Sequence, residues 1–358
     1  MKKIRSVIVG SGSYLPDLHR PNSYYENSAF YNSDGSPFPS ESNEIVSKFY
    51  AITGIKERTV LKSDMCTSDM GTIASQRAIE ASGIHKESID QIIVAHNFGD
   101  TSSEGNVPKL MPTLAAKIKN KLGIKNENCI PYDIVFGCPG WIQAMIQADI
   151  YIKSGNAKTC LVIGTEALTR MTDPFDRDSM IFSDGAGAVI LSAVESNEEI
   201  GILQHSTISH THEELAYLTM GFSFHNPDPN HSFIKMNGRK IYNYALTNVP
   251  RAIKNCLDKS NLDLKDISKI LIHQANEKMD IAIGERLYSL YGIDKMPADK
   301  MPMNIAKMGN NSVATVPILF DMIIKNELKP HSFSPKDVLV MASVGAGMSI
   351  NAFSYRLP

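Results

Sequence analysis

Apolar residues recur with two different periods along the chain, and the two periods alternate. Short runs rich in Ile, Val and Leu at 6–9, 91–95, 132–136, 160–163 and 186–191 predict strands. Between them, 69–81, 112–122 and 140–154 place apolar residues at helical spacing. After about residue 196 the alternation restarts, with helices expected at 241–258, 277–291 and 316–325 and strands at 269–273 and 338–342. Alternation of this kind builds an α/β fold with covered, parallel or mixed sheets. The first strand, Val7-Ile8-Val9, runs into Gly10 and Gly12 and is expected to enter a glycine turn there.

Two segments of the first half have counterparts in the second. Residues 84–96 resemble 262–273, and 158–164 resemble 336–342, at separations of 177 to 178 residues in both cases. A constant offset points to internal duplication, with halves at 1–195 and 196–358. Two stretches break the pattern: 20–45, rich in Ser, Asn, Pro and Tyr, and 205–232, rich in His, Pro and Asn. Both read as long surface excursions of the kind that cover a site.

Composition narrows the partners. A net charge of −2 over 358 residues gives no reason to expect nucleic acid or an anionic membrane surface. No apolar run approaches the ~20 residues of a membrane span. The basic start is followed by only three apolar residues, too few for a secretory signal. The five cysteines form no Cys-x-x-Cys pair, so reduced thiols in the cytoplasm are expected. His205, His210, His212, His225 and His231 cluster, but no cysteine or carboxylate completes a ligand set at firm spacing, and no metal is expected. Gly10-x-Gly12 lacks the third glycine of a dinucleotide fingerprint.

The most chemically informative stretch is 132–141. An apolar strand ends at Gly137, Cys138 follows, and Pro139 precedes an amphipathic stretch. This sets a thiol at a helix N-terminus, where the dipole and free N–H groups favour a thiolate. Taken alone, Cys138 is equally well a nucleophile or a small buried hydrophobe. Three more motifs bear on the choice: His273-Gln274-Ala275-Asn276 at the end of a strand, Gly309-Asn310-Asn311-Ser312 before a helix, and Gly345-Ala346-Gly347 after the last strand. A cysteine can attack an acyl carbonyl while histidine and asparagine donate hydrogen bonds to a developing oxyanion or enolate. Separately, His273 also reads as a structural histidine and Asn310 as a turn former.

With His273–Asn276, Gly309–Ser312, Gly54-Ile55-Lys56-Glu57-Arg58 and Ser183-Asp184-Gly185-Ala186-Gly187-Ala188 together, the chain resembles the β-ketoacyl-[acyl carrier protein] synthase III family over nearly its whole length. The resemblance implies a duplicated thiolase fold of five layers, αβαβα, in a homodimer. It implies a Cys138–His273–Asn310 triad that takes an acyl group from a coenzyme A or acyl-carrier-protein thioester and condenses it with a malonyl thioester after decarboxylation. No permanently bound cofactor is implied. Backbone N–H groups of Cys138 and Gly347 would hold the acyl oxyanion. Met111 matches the position reaching into the partner's acyl tunnel, Met236 and Gly238 match the pantetheine path, and Asn276 is expected to bind substrate. Lys278 matches a basic position used to dock acyl carrier protein, with an ordinary solvated lysine as the other reading.

Departures cluster around the acyl pocket and the mouth. The tryptophan and arginine that clamp an adenine in housekeeping relatives are Lys48 and Ile52 here, with Phe49 and Tyr50 the nearest aromatics, while Arg177 keeps the other clamp position. Phe136, Pro139 and Trp141 replace the usual neighbours of the cysteine, and Met348 replaces a phenylalanine. Trp141 and Met348 are therefore expected to touch substrate. These changes predict unchanged covalent chemistry on a different acyl donor or acceptor, in fatty-acid initiation or a related lipid or polyketide pathway. An acyltransferase that passes the acyl group to oxygen or nitrogen would use the same triad. A hydroxymethylglutaryl-type synthase needs a glutamate base, for which Glu104 and Glu166 are available outside that family's motif. A degradative thiolase needs a second cysteine that the last turn lacks.

Overall fold

The computed structural model describes residues 2–102 and 108–358; Glu104 lies outside them. The first half runs β1 (Lys3–Tyr14), β2 (Leu18–Pro21), α1 (Ser42–Thr53), β3 (Glu57–Val60), α2 (Thr67–Ser82), β4 (Gln91–His96), α3 (Leu114–Lys121), β5 (Ile130–Val135), α4 (Gly140–Lys153), β6 (Thr159–Ala167) and β7 (Asp184–Ser196). The second half runs β8 (Gly201–Ser209), β9 (Leu218–Gly221), β10 (Phe233–Met236), α5 (Gly238–Lys259), β11 (Ile267–Ile272), α6 (Glu277–Ser289), α7 (Ile305–Met308), α8 (Thr315–Ile324), β12 (Val338–Gly345) and β13 (Ser349–Arg356).

Two main sheets carry the fold, ordered β1-β7-β6-β4-β5 and β11-β12-β13-β8. Their pairings correspond: β1–β7 and β7–β6 are antiparallel and β6–β4 parallel, as β8–β13 and β13–β12 are antiparallel and β12–β11 parallel. Helices α2 and α3 cover the outer face of the first sheet, α5 and α6 lie outside the second, and α4 and α8 lie between and touch both. That gives five layers. The central helices are apolar on nearly every side, since they have no face left for water. The first sheet and α4 share one core with strands of the second, including Trp141, Val162, Phe320, Met341 and Phe353. Among the described residues no helix is long and apolar enough to cross a membrane.

The glycine turn expected at Gly10–Gly12 is not a turn. Strand β1 continues through both glycines, in register with β7. The glycines are required by packing, because a Cβ on Gly12 would lie 2.4 Å from the Ala74 carbonyl oxygen, and one on Gly10 would lie 2.4 Å from that of Ala78. Helix α2 therefore sits on the strand backbone itself. Since both clashes are with main chain, Gly12→Ala should cost about 1–3 kcal/mol of stability in urea unfolding.

The excursions also differ from expectation. Residues 201–209 are strand β8, so the second excursion begins later than 205. The two excursions meet: Tyr31 of the first stacks on His225 of the second at 4.0 Å between ring centres. Asp173 fastens the second one down, accepting from Ser223 Oγ, the Phe224 N–H and Lys235 Nζ at 3.0, 2.7 and 2.6 Å. The clustered histidines part company, with His205 in β8, His210 on Tyr244 and His231 on Asp228.

Candidate active site

Cys138 stands at a corner between β5 and α4. Gly137 takes a left-handed conformation, φ 77°, that turns the chain out of the strand. The Gly140 N–H closes the turn on the Gly137 carbonyl at 2.9 Å. The last strand pair presses on this corner, since a Cβ on Gly345 would lie 2.8 Å from the Cys138 nitrogen. A glycine at 345 thus lets the second half's final turn reach the nucleophile of the first half.

His273 follows the end of β11, and its N–H is held by the Ala342 carbonyl at 2.9 Å. Asn310 lies on the turn after α7, buried, with its main chain bonded to Ile181 and Ser183. Ser312 connects all three predicted residues. Its hydroxyl donates to Cys138 Sγ at 3.3 Å, and its N–H donates to Asn310 Oδ1 at 2.8 Å. Its main chain also faces the His273 ring, where it favours the protonated form. Ser312 does this from a left-handed conformation, φ 50°, uncommon for a residue with a side chain. With Asn310 Oδ1 occupied, its NH2 group has no protein partner among the described residues and remains available to a substrate oxygen.

The electrostatics correct one expectation. The helix N-terminus does not leave Cys138 a thiolate: burial pushes the thiol up to about 11, the Ser312 hydrogen bond opposes this, and Glu166 adds to it. Burial also pushes His273 down to about 4, with the Ser312 main chain opposing. The resting pair at neutral pH is therefore a thiol and a neutral imidazole. The sign for each follows. Cys138 gains its reactive form as pH rises, so its alkylation by iodoacetamide should climb close to tenfold per pH unit from 7 toward 11. His273 is already neutral across that range and should add no inflection near 6.5.

One cavity opens on Cys138, and a second adjoins it at Thr219 without reaching the cysteine. The inner one, about 470 Å³, is lined by Cys138, Ser312, Gly347, Asn97 and a largely apolar wall that includes Phe98, Phe136, Leu168, Phe182, Leu218, Met220 and Ile234. The outer one, about 820 Å³, is lined by Arg177, Met236, Gly238 and Asn276, and also by Lys48, Phe49, Ile52, Phe38, Lys235 and Arg239. The hairpin β9–β10 divides them. Leu218, Met220 and Ile234 face inward, Lys235 and Met236 face the mouth, and Thr219 borders both.

Other predicted residues fall elsewhere. Trp141 is not at the substrate: it is buried between the sheets, 6.3 Å from the Phe353 ring. Its place on the first turn of α4 turns it away from the corner and into the core. Met348 is likewise buried, in the second-half core, with its main chain paired to His210. Met111 is 89% exposed, and Lys278 is exposed without an ion-pair partner among the described residues. Asn276 also caps α6, accepting from the Met279 N–H at 3.1 Å. Phe49 lines the mouth but lies under the Arg58 guanidinium.

Several site residues escaped sequence reasoning. Phe38, within the first excursion, stacks under Arg177, 4.8 Å from ring centre to guanidinium. Asn97 and Phe98 follow the end of β4, a strand end beside β5 that was itself a signal for chemistry. Ser312 was visible within its motif but not as the residue joining the others.

Models of known families match the chain in two places. That of 3-oxoacyl-[acyl-carrier-protein (ACP)] synthase III matches residues 132–210, and that of its C terminal matches 257–357. The β-ketoacyl-[acyl-carrier-protein] synthase III of Staphylococcus saprophyticus is 34% identical over 350 residues, 98% of each chain. That of Ehrlichia canis is 32% identical, over 96% of this chain and 97% of its own. Among solved structures, 3-oxoacyl-[acyl-carrier-protein] synthase III of Aquifex aeolicus superposes with a TM-score of 0.79 at 28% identity, over 98% of this chain and 99% of its own. The priming β-ketosynthase of the R1128 polyketide pathway superposes at 0.80 with 26% identity, over 100% and 98%.

Proposed function

This chain belongs to the β-ketoacyl-[acyl-carrier-protein] synthase III family of condensing enzymes, and from that premise we propose how its residues divide the reaction. Cys138 attacks the carbonyl of an acyl thioester, and the carrier thiol leaves with the proton. A malonyl thioester then occupies the mouth. Its carboxylate leaves as CO₂, and the electron pair of the broken C–C bond passes to the thioester as an enolate. The N–H of neutral His273 and the free NH2 group of Asn310 hold the enolate oxygen. The enolate carbon attacks the acyl-Cys138 carbonyl, whose oxygen is held by N–H groups of Cys138 and Gly347, and Cys138 leaves as the product forms. The observation that carries this reading is Ser312, whose single residue touches the sulfur, the Asn310 amide and the His273 ring.

Substrate preference follows from the cavities. The inner cavity is far larger than an acetyl group needs, and its wall of Phe98, Phe136, Leu218, Met220 and Ile234 favours a longer apolar acyl chain. Lys48, Arg177 and Lys235 line the mouth paired to Glu44, Asp178 and the Asp173–Asp176 pair, and Arg239 beside them is the cation that suits a phosphate-bearing pantetheine arm. The Phe38–Arg177 stack supplies an aromatic and a guanidinium at the mouth although positions 48 and 52 do not. Lys278, exposed at the start of α6, is the docking cation for acyl carrier protein. The open edge of β5, with Val135 64% exposed, and the exposed Met111 support a homodimer formed along that edge. Five unpaired cysteines suit a cytoplasmic setting.

Mass spectrometry of the Cys138 peptide after exposure to acetyl-coenzyme A or to longer acyl-carrier thioesters tests the preference. Labelling should be at least tenfold faster with an apolar chain of six or more carbons, and efficient labelling by acetyl-coenzyme A alone would overturn it.

A further inference from the structure

Glu166 is the penultimate residue of strand β6, fully buried, and no step above uses it. Its Oε2 accepts from the Asn97 main-chain N–H at 2.6 Å and from Asn97 Nδ2 at 2.5 Å. A carboxylate only accepts, so the Asn97 amide must turn its NH2 group toward Glu166. The second hydrogen of that group goes to Ser312 Oγ at 3.0 Å. With its oxygen already receiving a hydrogen bond, the Ser312 hydroxyl directs its own hydrogen at its remaining neighbour, Cys138 Sγ, 3.3 Å away. Oε1 of Glu166 is buried without a partner among the described residues, an arrangement that stability alone disfavours.

We infer that Glu166 is a positioning residue for the nucleophile: it fixes the Asn97 amide, which fixes Ser312 as a donor to the Cys138 sulfur. The inference rests on Cys138 being the nucleophile, but its test reads the thiol directly and needs no condensation. Two effects of Glu166 oppose one another. Through the relay it favours the thiolate, and through its own negative charge it disfavours it. The relay sets the sign, because its last member, the Ser312 hydroxyl, is in direct contact with the sulfur at 3.3 Å whereas the Glu166 carboxylate is linked to it only through Asn97 and Ser312. His96 at the end of β4 and Asp184 at the start of β7 are the titratable groups that face Glu166, beside the Cys138 corner. Burial raises Glu166 to about 7, so it is about half ionised at the start of the pH series and ionised as pH rises toward 11, where Cys138 titrates.

The full-length protein is treated with iodoacetamide from pH 7 to 11, and alkylation of the Cys138 peptide is followed by mass, so that the partly exposed Cys66 does not interfere. Glu166→Met removes the acceptor and should slow alkylation at pH 8 about tenfold, moving the pH profile upward. Glu166→Gln keeps one acceptor oxygen for Asn97 and removes the opposing charge, so its profile should lie at or slightly below the wild-type profile, opposite in direction to Glu166→Met. If Glu166 acts by its charge, both variants move the profile downward. If it is merely structural, neither moves it. Either result overturns the proposal. Should Glu166→Met fail to fold, Asn97→Leu breaks the same relay and must give the same upward shift, and an unchanged or downward profile there also overturns it. A wild-type Cys138 that never acylates with any thioester would instead refute the function proposed above, leaving the relay intact.

Discussion

Cys138→Ala should abolish both acylation and condensation, by on the order of 10⁴-fold or more, while decarboxylation of a malonyl thioester continues. The separation follows from where the groups sit. Removing the sulfur deletes the only atom able to carry the acyl group, yet His273 and Asn310 stand on other elements, after β11 and α7, and do not depend on the thiol for their positions. The Asn310 amide is held by the Ser312 N–H, not by the Cys138 sulfur. Uncoupled CO₂ release by Cys138→Ala, with no β-ketoacyl product, is the expected signature. Loss of both activities would mean that the sulfur also organises the enolate site.

Asn310→Asp should give the reverse pattern. Aspartate keeps the oxygen that accepts from the Ser312 N–H, so the turn survives, but it removes the NH2 group and sets a negative charge where the enolate forms. Loss of one oxyanion donor typically costs about 10²–10³-fold, and the added charge deepens the loss. Acylation of Cys138 should persist, because the acyl oxyanion is held by different N–H groups. His273→Ala should behave alike, with acylation intact and decarboxylation down by a similar factor. Stopped-flow acylation and CO₂ release, measured on the same preparations, check the split.

Much of this was readable from the chain before any coordinates. Hydrophobic periodicity located the core strands and helices because the two central helices and both sheets are buried on known faces, which leaves strong signals at 140–153, 159–167 and 338–345. The repeat offset reflects two sheets with corresponding pairings. Local motifs singled out Cys138, His273 and Asn310 as candidates at strand ends or turns, but each alone read equally as a structural residue, and the family resemblance was needed to join them. What could not be read was long-range. Gly10 and Gly12 look like a turn locally and are explained only by α2, more than 60 residues away. Trp141 is one turn of helix from the nucleophile, yet helix geometry sends it into the core against Phe353. Phe38 reaches Arg177 across about 140 residues, and the Glu166–Asn97–Ser312 chain joins three elements that no sequence window contains.

The central claim is that one acyl-cysteine is consumed by decarboxylative condensation at the His273–Asn310 oxyanion site. Its most direct test loads Cys138 with an acyl group, removes free donor, adds malonyl-acyl carrier protein and measures CO₂, β-ketoacyl product and residual acyl-Cys138 in a single turnover. The account predicts that all three change in a ratio of one to one to one. Release of the acyl group to another acceptor without CO₂ would contradict it.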